Sequence, residues 1–200
     1  MKRLIIGFGH KRYSGKDTCA KIAQAYLYKL ERSSTRTWFA EALKAAAMEA
    51  FDFTEEQVYG GHKGVIDSRW GFTPGWALQR MGTEGFRDVF GFDFWIHRLK
   101  MYVDKVDEHV LIADVRFPNE AAAIKSWGGF VVDVVHPQAP EALADGRDSD
   151  HPSETALDLY ADWDGVILND GTIEQLRDQV TKLVDRFLRV LAMREREEVS

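Results

Sequence analysis

Apolar residues follow two rhythms along the chain, and their alternation predicts its architecture. Leu4-Ile5-Ile6 is a short continuous run with strand character. Cys19, Ile22, Ala23, Tyr26, Leu27 and Leu30 then recur at intervals of three and four, the buried stripe of a helix ending near Arg32. Ser33-Ser34 reads as a turn, Thr35 to Ala40 as a β-prone run and Glu41 to Ala50 as a helix. Val110-Leu111-Ile112-Ala113 predicts a central strand buried on both faces. Pro118 suits the first turn of a helix that Gly128-Gly129 stops, and Phe130 to Val135 supplies another strand. Gly165-Val166-Ile167-Leu168 is the last strand candidate. Ile173, Leu176, Val180, Leu183, Val184, Phe187, Leu188 and Leu191 mark a long amphipathic helix, with Arg194 to Ser200 as a frayed charged tail. Strand alternating with helix gives an α/β fold, three layers deep (α/β/α), around a mostly parallel five-stranded sheet.

Two regions break the rhythm. Gly60-Gly61, Gly64, Gly71 and Pro74-Gly75 punctuate residues 52 to 75, which read as a mobile excursion near the site. Trp76 to Phe90 has helical composition interrupted by Gly82 and Gly85, and a clear helical stripe runs from Trp95 to Val106. Pro137 to Ser153 is a long polar stretch holding Asp145, Arg147, Asp148, Asp150 and His151, read either as a lid or as a solvated loop.

The chemistry starts between the first strand and the first helix, at Gly9-His10-Lys11-Arg12-Tyr13-Ser14-Gly15-Lys16-Asp17-Thr18. A glycine-containing turn entering a helix points backbone N–H groups into one concavity, where the helix terminus adds partial positive charge, and such a concavity holds anions. Lys16 can reach outer phosphates, and Thr18 can contact phosphate or a hydrated magnesium ion. The phosphate-loop pattern has four residues between its glycines and Ser or Thr after the lysine. Here five separate Gly9 from Gly15, and Asp17 follows Lys16. Either the loop is one residue longer, or His10 takes the place of the first glycine. Asp17 either holds magnesium through water or stabilises the helix as a first-turn acid.

Composition narrows the classes. The 200 residues suit one domain, and a net charge of −6 argues against a nonspecific nucleic-acid binder. The single cysteine, Cys19, excludes an internal disulfide framework and fits a reducing compartment, with Cys19 read as core. No apolar run approaches the ~20 residues needed to cross a bilayer, and the N-terminus does not read as a signal peptide. A cytoplasmic protein without nucleic-acid or membrane partners is expected, with a homodimer left open.

In an open parallel sheet, ligands bind beyond the carboxyl ends of the strands. The loops meeting there carry Arg12, Lys16, Thr18, Arg116, Arg147, His151 and several carboxylates, a set that suits phosphoryl transfer. Seven stretches in series now carry a resemblance. They are Lys11-Arg12-Tyr13-Ser14-Gly15-Lys16-Asp17-Thr18, Phe39-Ala40-Glu41-Ala42-Leu43-Lys44, Leu78-Gln79-Arg80-Met81-Gly82-Thr83-Glu84, Asp93-Phe94-Trp95, Asp114-Val115-Arg116-Phe117-Pro118-Asn119-Glu120, His151-Pro152-Ser153-Glu154 and Asn169-Asp170-Gly171. With them the sequence resembles the bacteriophage deoxynucleoside monophosphate kinases, which transfer the γ-phosphate of ATP to a deoxynucleoside monophosphate.

The resemblance implies a P-loop NTPase fold with a helical monophosphate-binding insertion and a lid. It divides a single domain, residues 1–200, into a core (1–50 and 108–193), an insertion (about 51–107) and a lid (about 137–155). It implies ATP and Mg2+ as cofactors, with Lys16, Arg12, Arg116 and Arg147 as catalytic candidates. Gly9, Ser14, Gly15, Lys16, Asp17, Thr18, Asn169 and Gly171 are candidates for the donor nucleotide, and Asp17 and Thr18 for the metal. Lys44, Gln79, Thr83, Arg87, Asp93, Trp95 and His151 are candidates for the acceptor. For a phage-encoded chain the compartment would be the host cytoplasm. Bland readings stand beside several of these. Arg116 can simply pair with Asp114 or Glu120, Gln79 and Thr83 can face solvent, Trp95 can belong to the core, and His151 can be a turn residue. Two rival functions remain: a P-loop kinase of another small phosphorylated acceptor, and a nucleotide-dependent switch or binding protein.

Overall fold

A computed structural model describes residues 2–137 and 150–199. Five strands, β1 (Ile5–Gly9), β2 (Ser34–Thr37), β3 (His109–Val115), β4 (Phe130–Val135) and β5 (Gly165–Leu168), form one sheet in the order β2-β3-β1-β4-β5, every pairing parallel. Each parallel connection needs a crossover, and the helices α1 (Lys16–Lys29), α2 (Glu41–Phe51), α6 (Phe94–Val103), α7 (Pro118–Ser126) and α9 (Ile173–Val199) supply the cover.

Alternation along the central strands sorts their side chains between two cores. Ile6 and Phe8 of β1, Leu111 and Ala113 of β3 and Phe130, Val132 and Val134 of β4 pack under α1 and α9, against Cys19, Leu27, Val180 and Phe187. Ile5, Val110, Ile112, Val115 and Val131 point the other way, to Leu43, Trp95, Leu99 and Ile124 of α2, α6 and α7. This is the layering predicted from the apolar runs. Cys19 lies in the first core, and burial pushes its thiol up to about 12.

Two expectations change. The apolar run of β3 continues through Asp114 to Val115, because β1 pairs with it to that depth at Gly9, whereas the β2 pairing ends at Ile112. The last helix does not stop at Arg194 but continues to Val199.

Residues 52 to 75, the expected excursion, hold short helical elements and an aromatic cluster. Thr54 caps the short helix α3 (Glu55–Val58) in a reciprocal box with Gln57, and a 3-10 turn follows at Gly61–Gly64. Phe51 packs against Phe53, Trp70 and Phe72 with ring centroids 5.2 to 5.6 Å apart, and Trp76 adds to Phe72 at 5.1 Å. Arg69 joins Asp67 to Asp52. Beyond it, α4 (Pro74–Arg80), capped by Thr73, runs without a break into a π-helical segment, Met81–Arg87, and then α5 (Asp88–Phe90). The two glycines that interrupt the sequence pattern sit in that widened turn. Trp95 Nε1 donates to Gly82 O at 2.9 Å, tying the segment to α6.

Candidate active site

The loop between β1 and α1 settles its own register. His10 has φ +97° and Gly15 φ +100°, so both ends of the loop adopt the left-handed region, with four residues between them. His10 therefore stands in the position of the first glycine, and its ring meets Asp133 Oδ1 through Nδ1 at 2.7 Å. Gly9 belongs to β1, where a Cβ would lie 2.7 Å from the Trp163 ring. At the other end a Cβ on Gly15 would collide with the Asn169 amide, whose Nδ2 donates to Ser14 O at 3.0 Å. The turn after β5 thus braces the loop after β1.

Lys16 is 6% exposed, and its ammonium donates to Lys11 O and to Ser14 Oγ. Burial first, and then the neighbouring Arg116, hold its pKa well below 10.5, while Glu154, Asp17 and Asp114 pull it back up. Beside it, one carboxylate oxygen is gripped twice. Glu154 Oε2 lies 3.2 Å from Arg12 Nε and 2.9 Å from Arg116 Nη1. All three side chains are largely enclosed, so this is a preformed anion point at the mouth of the loop, taken here by the protein's own carboxylate.

From this point a cleft of about 730 Å³ continues to the helices of the middle of the chain. Arg12, Gly15, Lys16, Asp17, Thr18 and Arg116 line one end, and Lys44, Tyr59, Gln79, Thr83, Arg87 and Trp95 the other. The acceptor candidates are not alike. Lys44 holds its ammonium 5.2 Å from the Trp38 ring and 4.5 Å from the Tyr59 ring. Gln79 and Trp95 are buried in the wall, and Thr83 sits on the π segment.

Arg87 lies 5% exposed, its guanidinium 4.0 Å from the Phe117 ring and 2.5 Å from Glu120 Oε1. Glu120 Oε2 accepts from the N–H groups of Arg116 and Phe117, and burial pushes its carboxyl up to about 7 against the pull of Arg87.

Other candidates lie apart from the lining. Asp93 is exposed and accepts from Asn119 Nδ2 at 2.7 Å, Asn169 acts on the loop from behind, and Gly171 lies in the turn before α9. His151 is buried at the start of α8 (Pro152–Thr155), bonded to Ser153, with Nε2 3.8 Å from Glu84 Oε1. Arg147 lies outside the described residues, as does most of the expected lid.

Trp38, Tyr59 and Glu154 line the cleft without being candidates in the sequence, and Asp114 and Glu120 are expected there only as partners of Arg116. Asp114, raised by burial, accepts from the N–H groups of Phe39 and Ala40 and so fixes the chain where it leaves β2. Asp114, Glu120 and Glu154 belong to the stretches that carry the family resemblance, whereas Tyr59 has no local signal.

Among the described residues no group of three or more His, Cys, Asp or Glu could cage a metal. Asp17 Oδ1 accepts from Trp38 Nε1 at 3.1 Å, and Thr18 is exposed beside it at the helix start. One carboxylate and one hydroxyl next to a phosphate-binding loop fit Mg2+, which keeps several waters and takes its remaining oxygens from phosphates.

A parallel 2-3-1-4-5 sheet with an anion-binding loop opening α1, and a cleft extending from that loop, define a phosphotransferase of the P-loop type. The APS kinase of Mycobacterium tuberculosis, solved with AMPPNP and APS, shares the fold at TM-score 0.53 and 14% identity, over 94% of this chain and 98% of that one. A family model described as deoxynucleotide monophosphate kinase matches residues 66–180. A protein of Acanthamoeba polyphaga mimivirus named "Putative deoxynucleotide monophosphate kinase" is 33% identical over 197 residues, spanning 91% of this chain and 96% of that protein. The chain belongs to the deoxynucleotide monophosphate kinase family, and its activity is phosphoryl transfer to a deoxynucleoside monophosphate. No described helix is long and apolar enough to cross a membrane.

Proposed function

We propose that the chain transfers the γ-phosphoryl group of ATP, presented with Mg2+, to a deoxynucleoside monophosphate, yielding ADP and a deoxynucleoside diphosphate. The observation that carries this reading is the point where Arg12 and Arg116 converge on one anionic oxygen beside Lys16, in a cleft that runs on to Lys44 and Gln79.

Phosphoryl transfer asks the protein chiefly to position two phosphates and to neutralise the oxygens of the transferring group. The N–H groups at the start of α1 receive the donor phosphates, with Ser14 and Gly15 held in shape by Asn169. Lys16, Arg12 and Arg116 supply positive charge around the transferring group, and Arg147 remains a candidate from the sequence. Bound magnesium would neutralise donor oxygens, with Asp17 and Thr18 as the residues that hold it, Asp17 through water. On the acceptor side Lys44 meets the monophosphate, Gln79 and Thr83 read base edges, and Trp95 forms the wall. Arg87 contributes by fixing Glu120, and through it the backbone of Arg116. The insertion of about 51–107 is then the acceptor half, and the segment of about 137–155 the lid. Transfer within a nucleotide pool and a free, buried Cys19 both fit a cytoplasmic setting.

The test is purified protein with ATP, magnesium and each deoxynucleoside and ribonucleoside monophosphate in turn, following ADP release. ADP production that depends on a deoxynucleoside monophosphate is the expected result. Slow release indifferent to every acceptor would refute the proposal.

A further inference from the structure

Trp38 stands where the two halves of the cleft meet. It follows β2, is half-buried, and lines the cleft. Its indole Nε1 donates to Asp17 Oδ1 at 3.1 Å, on the first turn of the helix that opens the donor loop. Its ring face lies 5.2 Å from Lys44 Nζ, and the same ammonium is 4.5 Å from the Tyr59 ring. Tyr59 is itself anchored, its hydroxyl donating to Glu41 Oε1 at 3.1 Å. One side chain therefore touches the carboxylate at the donor end and the cation at the acceptor end.

We infer that Trp38 is a positioning residue that couples occupancy of the donor site to occupancy of the acceptor site, through its paired contacts with Asp17 and Lys44. The inference rests on the proposed function, which assigns the metal to Asp17 and the acceptor phosphate to Lys44. A hydrated cation at Asp17 competes with the indole N–H for the same carboxylate. A phosphate at Lys44 draws the ammonium away from a ring that attracts it through its quadrupole. Each ligand binding alone has to break one contact of the indole. Once the indole has left Asp17, its hold on Lys44 is lost as well, and the second ligand meets no such cost. The result is positive coupling, and it is reciprocal: the donor tightens the acceptor by the factor with which the acceptor tightens the donor.

Calorimetric titration of a deoxynucleoside monophosphate, with and without a magnesium-bound non-hydrolysable ATP analogue, measures the factor. Wild-type protein is expected to show tightening of about 5-fold or more. Trp38→Phe keeps a ring for Lys44 and loses the N–H to Asp17. Its coupling should fall below about 2-fold, with the monophosphate alone bound as in wild type. Trp38→Leu loses both contacts, and should bind the monophosphate alone with the affinity that wild type reaches only when the analogue is present. Emission of wild type minus that of Trp38→Phe reports this one indole, and should change when the analogue and magnesium are added. Thermal melts of both variants verify that they are folded.

Wild-type coupling retained in Trp38→Phe, no coupling in wild type, or a Trp38 emission indifferent to the analogue would each overturn the inference. With turnover of monophosphates normal, these outcomes leave the proposed function standing. A wild-type protein that phosphorylates no monophosphate refutes that function, and the inference with it.

Discussion

Glu154→Gln removes the charge from the one oxygen that Arg12 and Arg116 share, and its consequences for binding and for stability run in opposite directions. An incoming phosphate has to displace this carboxylate. One charge-assisted hydrogen bond, from Arg116, and one ion pair, with Arg12, are at stake, and a hydrogen bond to a charged group contributes about 1.5–3 kcal/mol. The displaced carboxylate regains water, so only about one bond's share opposes the ligand, which corresponds to roughly 10- to 100-fold in affinity. The variant should bind ATP, or inorganic pyrophosphate as a minimal probe, tighter than wild type by that factor. Without ligand it is the less stable protein. Lys16, Arg12 and Arg116 then face one another with less compensation, and like charges near 4 Å repel by up to about 4 kcal/mol at an effective dielectric of 20. Allowing for relaxation, a loss of about 1–2 kcal/mol is expected, which lowers Tm by about 2–8 °C in a chain of this size. Calorimetric titration and thermal unfolding of the ligand-free protein measure the two effects. Affinity unchanged or weakened in Glu154→Gln would refute the idea that the carboxylate stands in for phosphate.

Arg87→Met leaves Glu120 buried without its partner and should cost about 3–5 kcal/mol at pH 8, read by urea unfolding. Burial already raises Glu120 from 4.5 to about 7, so its favourable contribution is present below pH 4.5 and lost as pH rises through 7. Without Arg87 the carboxyl rises further, and the variant's deficit should shrink between pH 8 and pH 5; a pH-independent deficit would contradict the pairing. Lys16→Met should lower turnover by on the order of 10²–10³-fold or more, with the fold intact. Because the folded state holds the Lys16 pKa below 10.5, wild-type stability rises with pH across that interval as the unfolded chain keeps a proton the folded one has released. The variant should lack this rise, and near-normal turnover would remove Lys16 from the mechanism. Asp17→Ala should shift the magnesium titration of turnover to higher concentration, and an unchanged titration would exclude Asp17 from holding the metal.

The core of the fold was legible because its signals are local. Val110 to Ala113 and Phe130 to Val135 read as buried strands on composition alone, and the stripe from Cys19 to Leu30 gave α1 to within one turn. The middle of the chain was less legible for a definite reason. Phe51, Phe53, Trp70, Phe72 and Trp76 make a cluster with no helical or strand period, and the turn that accommodates Gly82 and Gly85 is π-helical. His10 was ambiguous because a positive φ is expected of glycine, and a histidine there hides the register of the loop. Among the site residues, Lys16, Arg12 and Arg116 were visible as charges on predicted loops. Glu120 and Glu154 look like ordinary first-turn acids until tertiary packing encloses them with arginines.

The hydrogen bond from Asn169 to Ser14 spans 155 positions of sequence. The strand leading into the donor loop, β1, does not pair with β2, the next strand to be made; its partners are β3 and β4, whose paired residues follow it by more than a hundred positions. On the ribosome the loop emerges early but has no sheet to stand on and no amide to close it. Forming contacts of this separation is slow, because the chain entropy is lost before the contacts compensate it. Competence to hold a nucleotide therefore arrives in one late event, when the turn after β5 docks, and a nascent chain stopped before Asn169 should carry the full loop sequence and yet no working donor site.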